Sequence, residues 1–144
     1  MSNTTTTHGF TASLAGRLPT TTTEVTLVAG DLVALFAFVA VGQYKHGYLF
    51  WEYPARTVRI SAPIVASWLV LAVVFGLAST ASIASYRRAL LWMAPVWLVV
   101  AVIGGFVRRT TLVPGYAPPS FFVVSILFGW LFLGGWRLLA TKWL

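Results

Sequence analysis

The chain lacks cysteine altogether, and its few charged residues include only three acids among 144 residues. The absence of cysteine excludes disulfide bonds, thiolate metal sites and cysteine nucleophiles. Asp, Glu, Lys and Arg together make up 9% of the residues, whereas a soluble globular domain carries about 25%. The sequence therefore has too little charge to cover the surface of a water-soluble globule.

Long apolar runs replace the missing charge. Hydrophobic residues make up 58% of the chain, and the mean hydropathy is +0.84. These residues are grouped in blocks that approach the roughly 20 apolar residues needed by a membrane-spanning helix. We therefore predict an all-α polytopic membrane protein, built as a bundle of four transmembrane helices.

Composition divides the chain into a tail and one domain. Residues 1–23 are rich in Thr and low in complexity, which predicts a disordered N-terminal tail. Residues 24–144 form the transmembrane domain. The predicted helices of this domain cover residues of about 24–45, 62–80, 88–107 and 121–141.

Short motifs predict where these helices begin and end. Thr21 and Glu24 have the spacing of a capping box, which would start the first helix at Thr22. Gly47 is typical of a helix stop. Pro63 is expected in the first turn of the second helix, where proline is tolerated. Ser120 is expected to cap the fourth helix.

Small residues at intervals of four predict close contacts between helices. The first such stripe consists of Ala72, Gly76 and Thr80 in the second helix. The second consists of Ser125 and Gly129 in the fourth helix. Small side chains let two backbones approach each other inside a membrane, where packing drives helix association.

The basic residues are interpreted as membrane anchors. The net charge of +7 comes from ten Lys and Arg residues against three acids, and nearly all of the basic residues lie between apolar blocks. That placement is typical of side chains at lipid headgroups, so we expect no nucleic-acid partner. With four spans the basic residues divide equally between the two faces, and the positive-inside rule gives no orientation.

Asp31 is an acid inside the first apolar run, residues 25–44. An ionisable group at membrane depth costs a few kcal/mol, so it needs a partner or a purpose. Arg137 lies at a similar depth from the same face of the bilayer, because four spans place both ends of the domain on one side. Asp31 and Arg137 are therefore candidates for an intramembrane ion pair. Gly134, one turn before Arg137, would admit the first helix.

Two other interpretations of these charges remain open. In one, the first helix begins at Gly30, Asp31 occupies its first turn among the headgroups, and Arg137 extends its long stem to the interface. In the other, Asp31 couples a proton or a cation to transport. The sequence does not decide among the three.

The polar residues at the face of the bilayer opposite to Asp31 and Arg137 are secondary candidates for a functional site. His46 ends the first helix near Glu52 and Arg108. A histidine beside a carboxylate can titrate near neutral pH or bind a metal, but one His and one Glu are too few ligands, so we predict no metal site. We expect His46 to lie at the interface or to hydrogen-bond a loop, and Glu52 to form a headgroup-level pair with Arg56 or Arg59.

The sequence contains no set of residues typical of catalysis or of cofactor binding. A Gly-rich phosphate loop, a Ser-His-Asp set and a pair of carboxylates are all missing. Trp68, Trp97 and Trp130 lie deep in the apolar blocks, where we expect them to pack and not to hold a cofactor. We therefore predict a protein that is not an enzyme and binds no cofactor.

Several short motifs together resemble a known family. They occur in the order Gly30-Asp31, Phe38-Val-Ala-Val-Gly42, His46-Gly47, Ala62-Pro63, Trp68, Gly104 before Arg108-Arg109, Phe122-Val-Val and Gly135-Trp136-Arg137. Over residues 25–138 the chain resembles the small prokaryotic membrane proteins of domain of unknown function number three-thousand-and-fifty-four. The resemblance implies four spans, draws attention to the residues Asp31, His46, Arg108 and Arg137, and supplies no activity. We expect a multi-pass protein of the cytoplasmic membrane.

Two functions follow as expectations. The first is a non-enzymatic scaffold or subunit in which Asp31 and Arg137 fix the packing of the helices. The alternative is a small proton- or cation-coupled transporter that acts as a dimer through Asp31, by analogy with small multidrug exporters. The partners we expect are the lipid bilayer and either a second copy of the chain or another membrane protein.

Overall fold

The computed structural model describes residues 3–113 and 115–144, and all regular secondary structure within them is helical. Four helices are long and apolar enough to cross a membrane: α2 (Thr22–Lys45), α3 (Pro54–Val74), α4 (Tyr86–Arg108) and α5 (Pro119–Trp143). Two shorter elements are α1 (Asn3–Ala15) and a 3₁₀ helix (Thr80–Ile83) between α3 and α4. The predicted class, an all-α polytopic membrane protein with four candidate spans, is confirmed.

Part of the Thr-rich tail is helical. The structure describes the helix α1 within this tail, which the sequence predicts to be disordered. From residue 9 to residue 18 every side chain except Leu14 is exposed, so the tail adds almost nothing to the core. The Arg17 guanidinium donates a hydrogen bond to the Val74 carbonyl at the end of α3, which ties the tail to the bundle.

Both ends of α2 follow local signals in the sequence. The Thr21 hydroxyl accepts a hydrogen bond from the Glu24 backbone N–H at 3.2 Å, and the Glu24 carboxylate accepts one from the Thr21 N–H at 3.4 Å. This is the predicted capping box. At the other end Gly47 has a φ of +81°, and its N–H donates to the Tyr44 carbonyl at 3.0 Å. A left-handed glycine with this bond ends a helix in a Schellman motif.

Replacing the capping hydroxyl tests the start of α2. We expect Thr21→Ala to lower the free energy of unfolding by about 1 kcal/mol, because the first turn loses an acceptor for an otherwise unpaired N–H. The matched control is Thr22→Ala, since the Thr22 hydroxyl makes no hydrogen bond with the described residues; its effect should stay within about 0.5 kcal/mol. Equal effects of the two substitutions in detergent unfolding would contradict the capping role.

The second spanning helix begins earlier than the sequence predicts. The predicted range was 62–80 with Pro63 in the first turn, whereas α3 covers Pro54–Val74 and contains Pro63 in its interior. Pro54 occupies the first helical position, where a missing N–H removes no intrahelical hydrogen bond. Arg56 and Arg59 lie before residue 62, in the segment that the sequence predicts to be a loop. In the structure both residues lie in the first turns of α3.

α3 ends in a Schellman motif and not in the predicted stripe of small residues. Gly76 has a φ of +74°, and the Leu77 N–H donates to the Ala72 carbonyl at 2.7 Å. Gly76 and Thr80 therefore lie beyond the helix, and the predicted face formed by Ala72, Gly76 and Thr80 does not exist. The turn buries Leu77 completely and leads into the 3₁₀ helix.

The starts of α4 and α5 are set by different residues. The Ser85 hydroxyl caps α4 by accepting from the Arg88 backbone N–H at 3.2 Å. α5 begins at Pro119, with Pro118 as the N-cap and no side-chain cap. The prediction that Ser120 caps this helix is therefore wrong; proline at the first helical position supplies a preset φ in its place.

The stripe of small residues in α5 makes the predicted close contact. Trp97 of α4 is fully buried against Gly129, where an added Cβ would lie 1.9 Å from the Cε2 atom of the indole. The indole N–H donates to the Ser125 carbonyl at 3.1 Å. The absence of a side chain at Gly129 therefore lets α4 and α5 pack at this level.

The outer surface of the bundle is apolar. Val33, Val70 and Leu131, on three different helices, are exposed by 68%, 61% and 65%. Large exposed apolar faces on several helices are unfavourable in water and favourable in lipid. This surface agrees with a multi-pass membrane protein.

Candidate functional site

Asp31 and Arg137 form a buried ion pair between α2 and α5. The Arg137 Nε donates to Asp31 Oδ1 at 2.9 Å, and its Nη2 lies 2.5 Å from Asp31 Oδ2. Both side chains are 0% exposed. Two parallel bonds between a guanidinium and a carboxylate are the geometry of a strong, directional pair. The structure thus brings together the two charges that the sequence places at equal depth.

Two further elements complete this ion pair. The Trp68 indole of α3 donates to Asp31 Oδ2 at 3.2 Å, and the Arg137 guanidinium lies 5.7 Å from the centre of the Trp68 ring. The Arg137 Nη1 donates to the Leu77 carbonyl and to the Ser82 hydroxyl, both at 2.9 Å. We call these five residues the ion-pair network. It joins α2, α3, α5 and the turn after α3.

The turn after α3 presents its acceptors because of how it folds. The Schellman motif at Gly76 takes the chain out of the helix, so the Leu77 carbonyl has no intrahelical partner. Ser82 follows in the 3₁₀ helix, and its hydroxyl lies 3.0 Å from the Leu77 carbonyl and 2.8 Å from that of Ser79. The Arg137 guanidinium therefore finds two acceptors already held in place.

A glycine in α2, and not the predicted one in α5, lets these helices meet. A Cβ at Gly30 would lie 2.0 Å from the Trp136 ring, and the Trp136 indole donates to the Leu27 carbonyl at 3.0 Å. Gly134 instead faces α4, where its Cβ would meet the Met93 methyl at 3.4 Å. The expectation that Gly134 admits the first helix is therefore wrong.

The interpretation of these charges as interfacial residues is not supported by this geometry. α2 begins at Thr22 and not at Gly30, so Asp31 is well beyond the first turn. The Arg137 side chain does not extend to a surface, because its guanidinium is buried against α2, α3 and the turn after α3. Both side chains make their contacts inside the bundle.

A second polar region lies at the other end of the bundle, around a cavity of about 610 Å³. It opens beside the C-terminal end of α2 and the N-terminal ends of α3 and α5. His46 and Arg108, two of the secondary candidates, both line it. Its other polar lining residues are Gln43, Tyr48, Arg56, Tyr116, Ser120 and Ser125.

Glu52 is not part of this region. Its side chain is exposed, and in residues 3–113 and 115–144 the ion pair formed is that of Asp31 with Arg137. The expected pair of Glu52 with Arg56 or Arg59 is therefore not formed. Arg59 instead donates to the Leu112 carbonyl at 3.2 Å. Within the described part of the chain no three His, Cys, Asp or Glu residues are grouped to hold a metal.

Sequence reasoning missed most partners of the ion pair. Trp68 was expected only to pack, although a deeply placed indole N–H needs an acceptor and Asp31 was the one acid in the apolar blocks with oxygens to offer. The need of the Trp68 N–H for an acceptor could therefore have predicted its hydrogen bond to Asp31. Nothing in the sequence pattern marks Ser82 or the Leu77 carbonyl, because both depend on the path of the turn after α3.

The chain was compared with known proteins. A family model described as "Protein of unknown function (DUF3054)" matches residues 28–140, which confirms the resemblance seen in the sequence motifs. This range includes the whole ion-pair network and all the residues that line the cavity. No curated protein and no solved structure matches the chain.

Proposed function

Because this chain belongs to the DUF3054 family, whose function is unknown, we propose a role from its site alone. It is a non-enzymatic multi-pass protein of the cytoplasmic membrane, a scaffold or subunit whose helix packing is fixed by the Asp31–Arg137 pair. The observation that carries this proposal is the bidentate contact between two fully buried side chains on α2 and α5.

The pair supports a structural role because its partners come from so many elements. Trp68 brings in α3, while Leu77 and Ser82 bring in the turn that leads to α4. A buried ionic group with directional partners favours one arrangement of helices over others, as polar groups in coiled coils do. Within the described part of the chain, the groups that contact the Asp31 carboxylate are the donors Arg137 and Trp68, and neither is a nucleophile beside a base.

The same contacts weigh against the alternative, a small proton- or cation-coupled transporter that acts as a dimer through Asp31. A coupling carboxylate must exchange a proton with water or bind a cation, so it needs access and a free coordination site. Both oxygens of Asp31 already accept hydrogen bonds, from Arg137 and Trp68, and the side chain is fully buried. These observations favour the scaffold over coupled transport.

A flux measurement tests this assignment. Purified native protein and the Asp31→Asn variant would be reconstituted in liposomes that contain a pH-sensitive dye, and a pH step would be applied with and without a Na⁺ gradient. We expect both proteins to give the proton flux of empty liposomes. We also expect Asp31→Asn to unfold at a lower temperature in detergent, because Arg137 then keeps a buried charge without a counter-ion.

Each readout has an outcome that rejects the proposal. A proton flux that the native protein supports and Asp31→Asn abolishes would establish the transporter instead. An unchanged unfolding temperature in Asp31→Asn would show that the pair does not fix the packing. Glu52→Gln is the control for removing an acid, since Glu52 is exposed and forms no ion pair with the described residues.

A further inference from the structure

The cavity at the far end of the bundle from the ion pair has one cationic side and one apolar side. Arg56 of α3 and Arg108 of α4 both line it, and the two guanidinium groups are close enough for their charges to repel. The apolar side consists of Phe38, Val39, Ile60, Ile64, Phe121 and Val124. No acid lines the cavity, so its positive charge is not neutralised from within the described chain.

Aromatic rings hold both guanidinium groups by their faces. The Arg56 guanidinium lies 4.0 Å from the centre of the Tyr48 ring, and the Arg108 guanidinium lies 4.8 Å from that of Phe121. Stacking of this kind leaves the N–H edges of a guanidinium available. The Nε atoms of Arg56 and Arg108 are buried and have no hydrogen-bond partner within the described residues. Such donors fit an anion with several acceptor oxygens.

A glycine makes room for one of these cations. Gly115 has a φ of +122°, and an added Cβ would lie 2.6 Å from the Arg108 Nη2 atom. The loop before α5 therefore approaches the guanidinium more closely than any residue with a side chain would allow. Arg108 is held between this loop and the Phe121 ring, at the wall of the cavity.

Gln43 supplies an unpaired acceptor to the same cavity. Its side chain is only 5% exposed, and its Nε2 donates to the Thr57 hydroxyl at 2.9 Å. The Thr57 hydroxyl itself donates to the Tyr53 carbonyl at 3.0 Å, which fixes the orientation of the amide. Among the described residues, the Gln43 Oε1 is then left buried without a partner. A buried unpaired acceptor needs a donor such as a hydroxyl group.

The volume and the position of the cavity limit its occupant. About 610 Å³ falls within the roughly 300–1,000 Å³ of small-molecule sites, and a phospholipid with two chains is larger. At Gly42, which lines the cavity, an added Cβ would meet nothing within 4 Å. The exposed lining residues His46, Tyr116 and Val124 show that the cavity opens to the surface of an otherwise apolar bundle.

We propose that this cavity binds a single-chain lipid whose head carries a phosphate and a hydroxyl group. The phosphate oxygens accept from Arg56 and Arg108, the hydroxyl donates to Gln43, and the chain lies along the apolar side. Each part of the ligand thus meets a group that is otherwise unpaired or uncovered. The cavity shares no residue with the ion-pair network, so this inference stands independently of the proposed scaffold role.

Three matched probes test separately how the phosphate and the chain of the ligand contribute to binding. Lauroylglycerol phosphate carries head and chain, monolauroylglycerol lacks the phosphate, and glycerol phosphate lacks the chain. Binding to the full chain in a neutral detergent would be measured by isothermal titration calorimetry. We expect lauroylglycerol phosphate to bind roughly tenfold or more tightly than monolauroylglycerol, which is the factor expected for one charge-assisted hydrogen bond. We expect at least the same factor over glycerol phosphate, because that probe has no chain to bury on the apolar side. Added salt should weaken its binding.

Two variants with matched controls place the binding in the cavity. Arg108→Gln removes one cation, and its control is Arg87→Gln at an exposed position on the same helix. Gly42→Leu fills the cavity, and its control is Gly135→Leu, since Gly135 is another helical glycine whose added Cβ meets nothing within 4 Å. We expect Arg108→Gln and Gly42→Leu each to weaken lauroylglycerol phosphate binding by roughly tenfold or more, with neither control changing it.

Several results would overturn the inference. No binding of lauroylglycerol phosphate, or equal binding of monolauroylglycerol, would remove the anion site. Equal binding of glycerol phosphate would assign the arginines to a soluble phosphate compound and not to a lipid. If Arg108→Gln does not fold, as judged by circular dichroism, the comparison of Gly42→Leu with Gly135→Leu decides. Unchanged affinity in Gly42→Leu would place the ligand outside the cavity.

Discussion

Arg137→Met is expected to lower the free energy of unfolding by about 3–5 kcal/mol, because it leaves the buried Asp31 carboxylate without a counter-ion. Methionine keeps much of the length of arginine and adds no charge or donor. Asp31 would retain only the hydrogen bond from Trp68. The Leu77 carbonyl would keep a partner in the Ser82 hydroxyl. The change would be measured by equilibrium unfolding of purified protein in detergent micelles.

A double-mutant cycle separates the pair from its surroundings. Asp31→Asn combined with Arg137→Met removes both charges and keeps an oxygen that accepts from Trp68. We expect the double variant to be more stable than Arg137→Met alone, since a buried pair can be replaced by neutral groups at little cost while a lone buried charge cannot. Arg87→Met is the control, because Arg87 is exposed. If Arg137→Met is no less stable than Arg87→Met, the pair contributes nothing to the fold.

The pair itself could be predicted from the sequence, and the reason is physical. Only three acids are present, and Asp31 lies where a carboxylate cannot face lipid without a partner. Because four apolar blocks place both ends of the domain on one side of the bilayer, Arg137 is expected at a depth similar to that of Asp31. The need to neutralise a charge in a low-dielectric medium therefore restricts the pairing more strongly than any local propensity does. The spacing of Thr21 and Glu24 likewise determined the start of α2, because both partners of a capping box are local.

The helix boundaries of α3 could not be predicted in the same way. The segment before residue 62 contains Pro54, Arg56 and Arg59, and polar residues at the end of an apolar block indicate a loop when nothing else is known. In the structure Arg56 and Arg59 are held on the helix by contacts with Tyr48 and with the Leu112 carbonyl. The partner of Arg59 lies 53 residues further along the chain, so no window of sequence around α3 contains that contact.

The cavity could not be predicted from the sequence either, because it too depends on tertiary structure. His46 and Arg108 were recognised as polar residues on one face, but the cavity depends on empty space beside Gly42 and on the Gly115 loop approaching Arg108. Empty space has no sequence signature. The unpaired Gln43 oxygen was equally hidden, because its isolation results from the fixed orientation of the amide towards Thr57.

Gly129→Ala is expected to destabilise the protein by about 1–3 kcal/mol, although alanine is the better helix former. The new Cβ would lie 1.9 Å from Cε2 and 2.0 Å from Nε1 of Trp97. The indole has little freedom to move, because it is fully buried, donates to the Ser125 carbonyl, and packs edge-on against Phe38 at 5.4 Å between ring centres. Overpacking should therefore exceed the gain of about 1 kcal/mol in helix propensity.

Gly135→Ala is the matched control for this substitution. It lies on the same helix, and its new Cβ would meet nothing within 4 Å, so it should leave stability unchanged or raise it by up to about 1 kcal/mol. Trp97→Phe removes the indole atoms that the Cβ introduced by Gly129→Ala would overlap. The two changes combined should therefore cost less than the sum of the two single changes. If Gly129→Ala and Gly135→Ala unfold at the same denaturant concentration, close contact between α4 and α5 does not require a glycine at position 129.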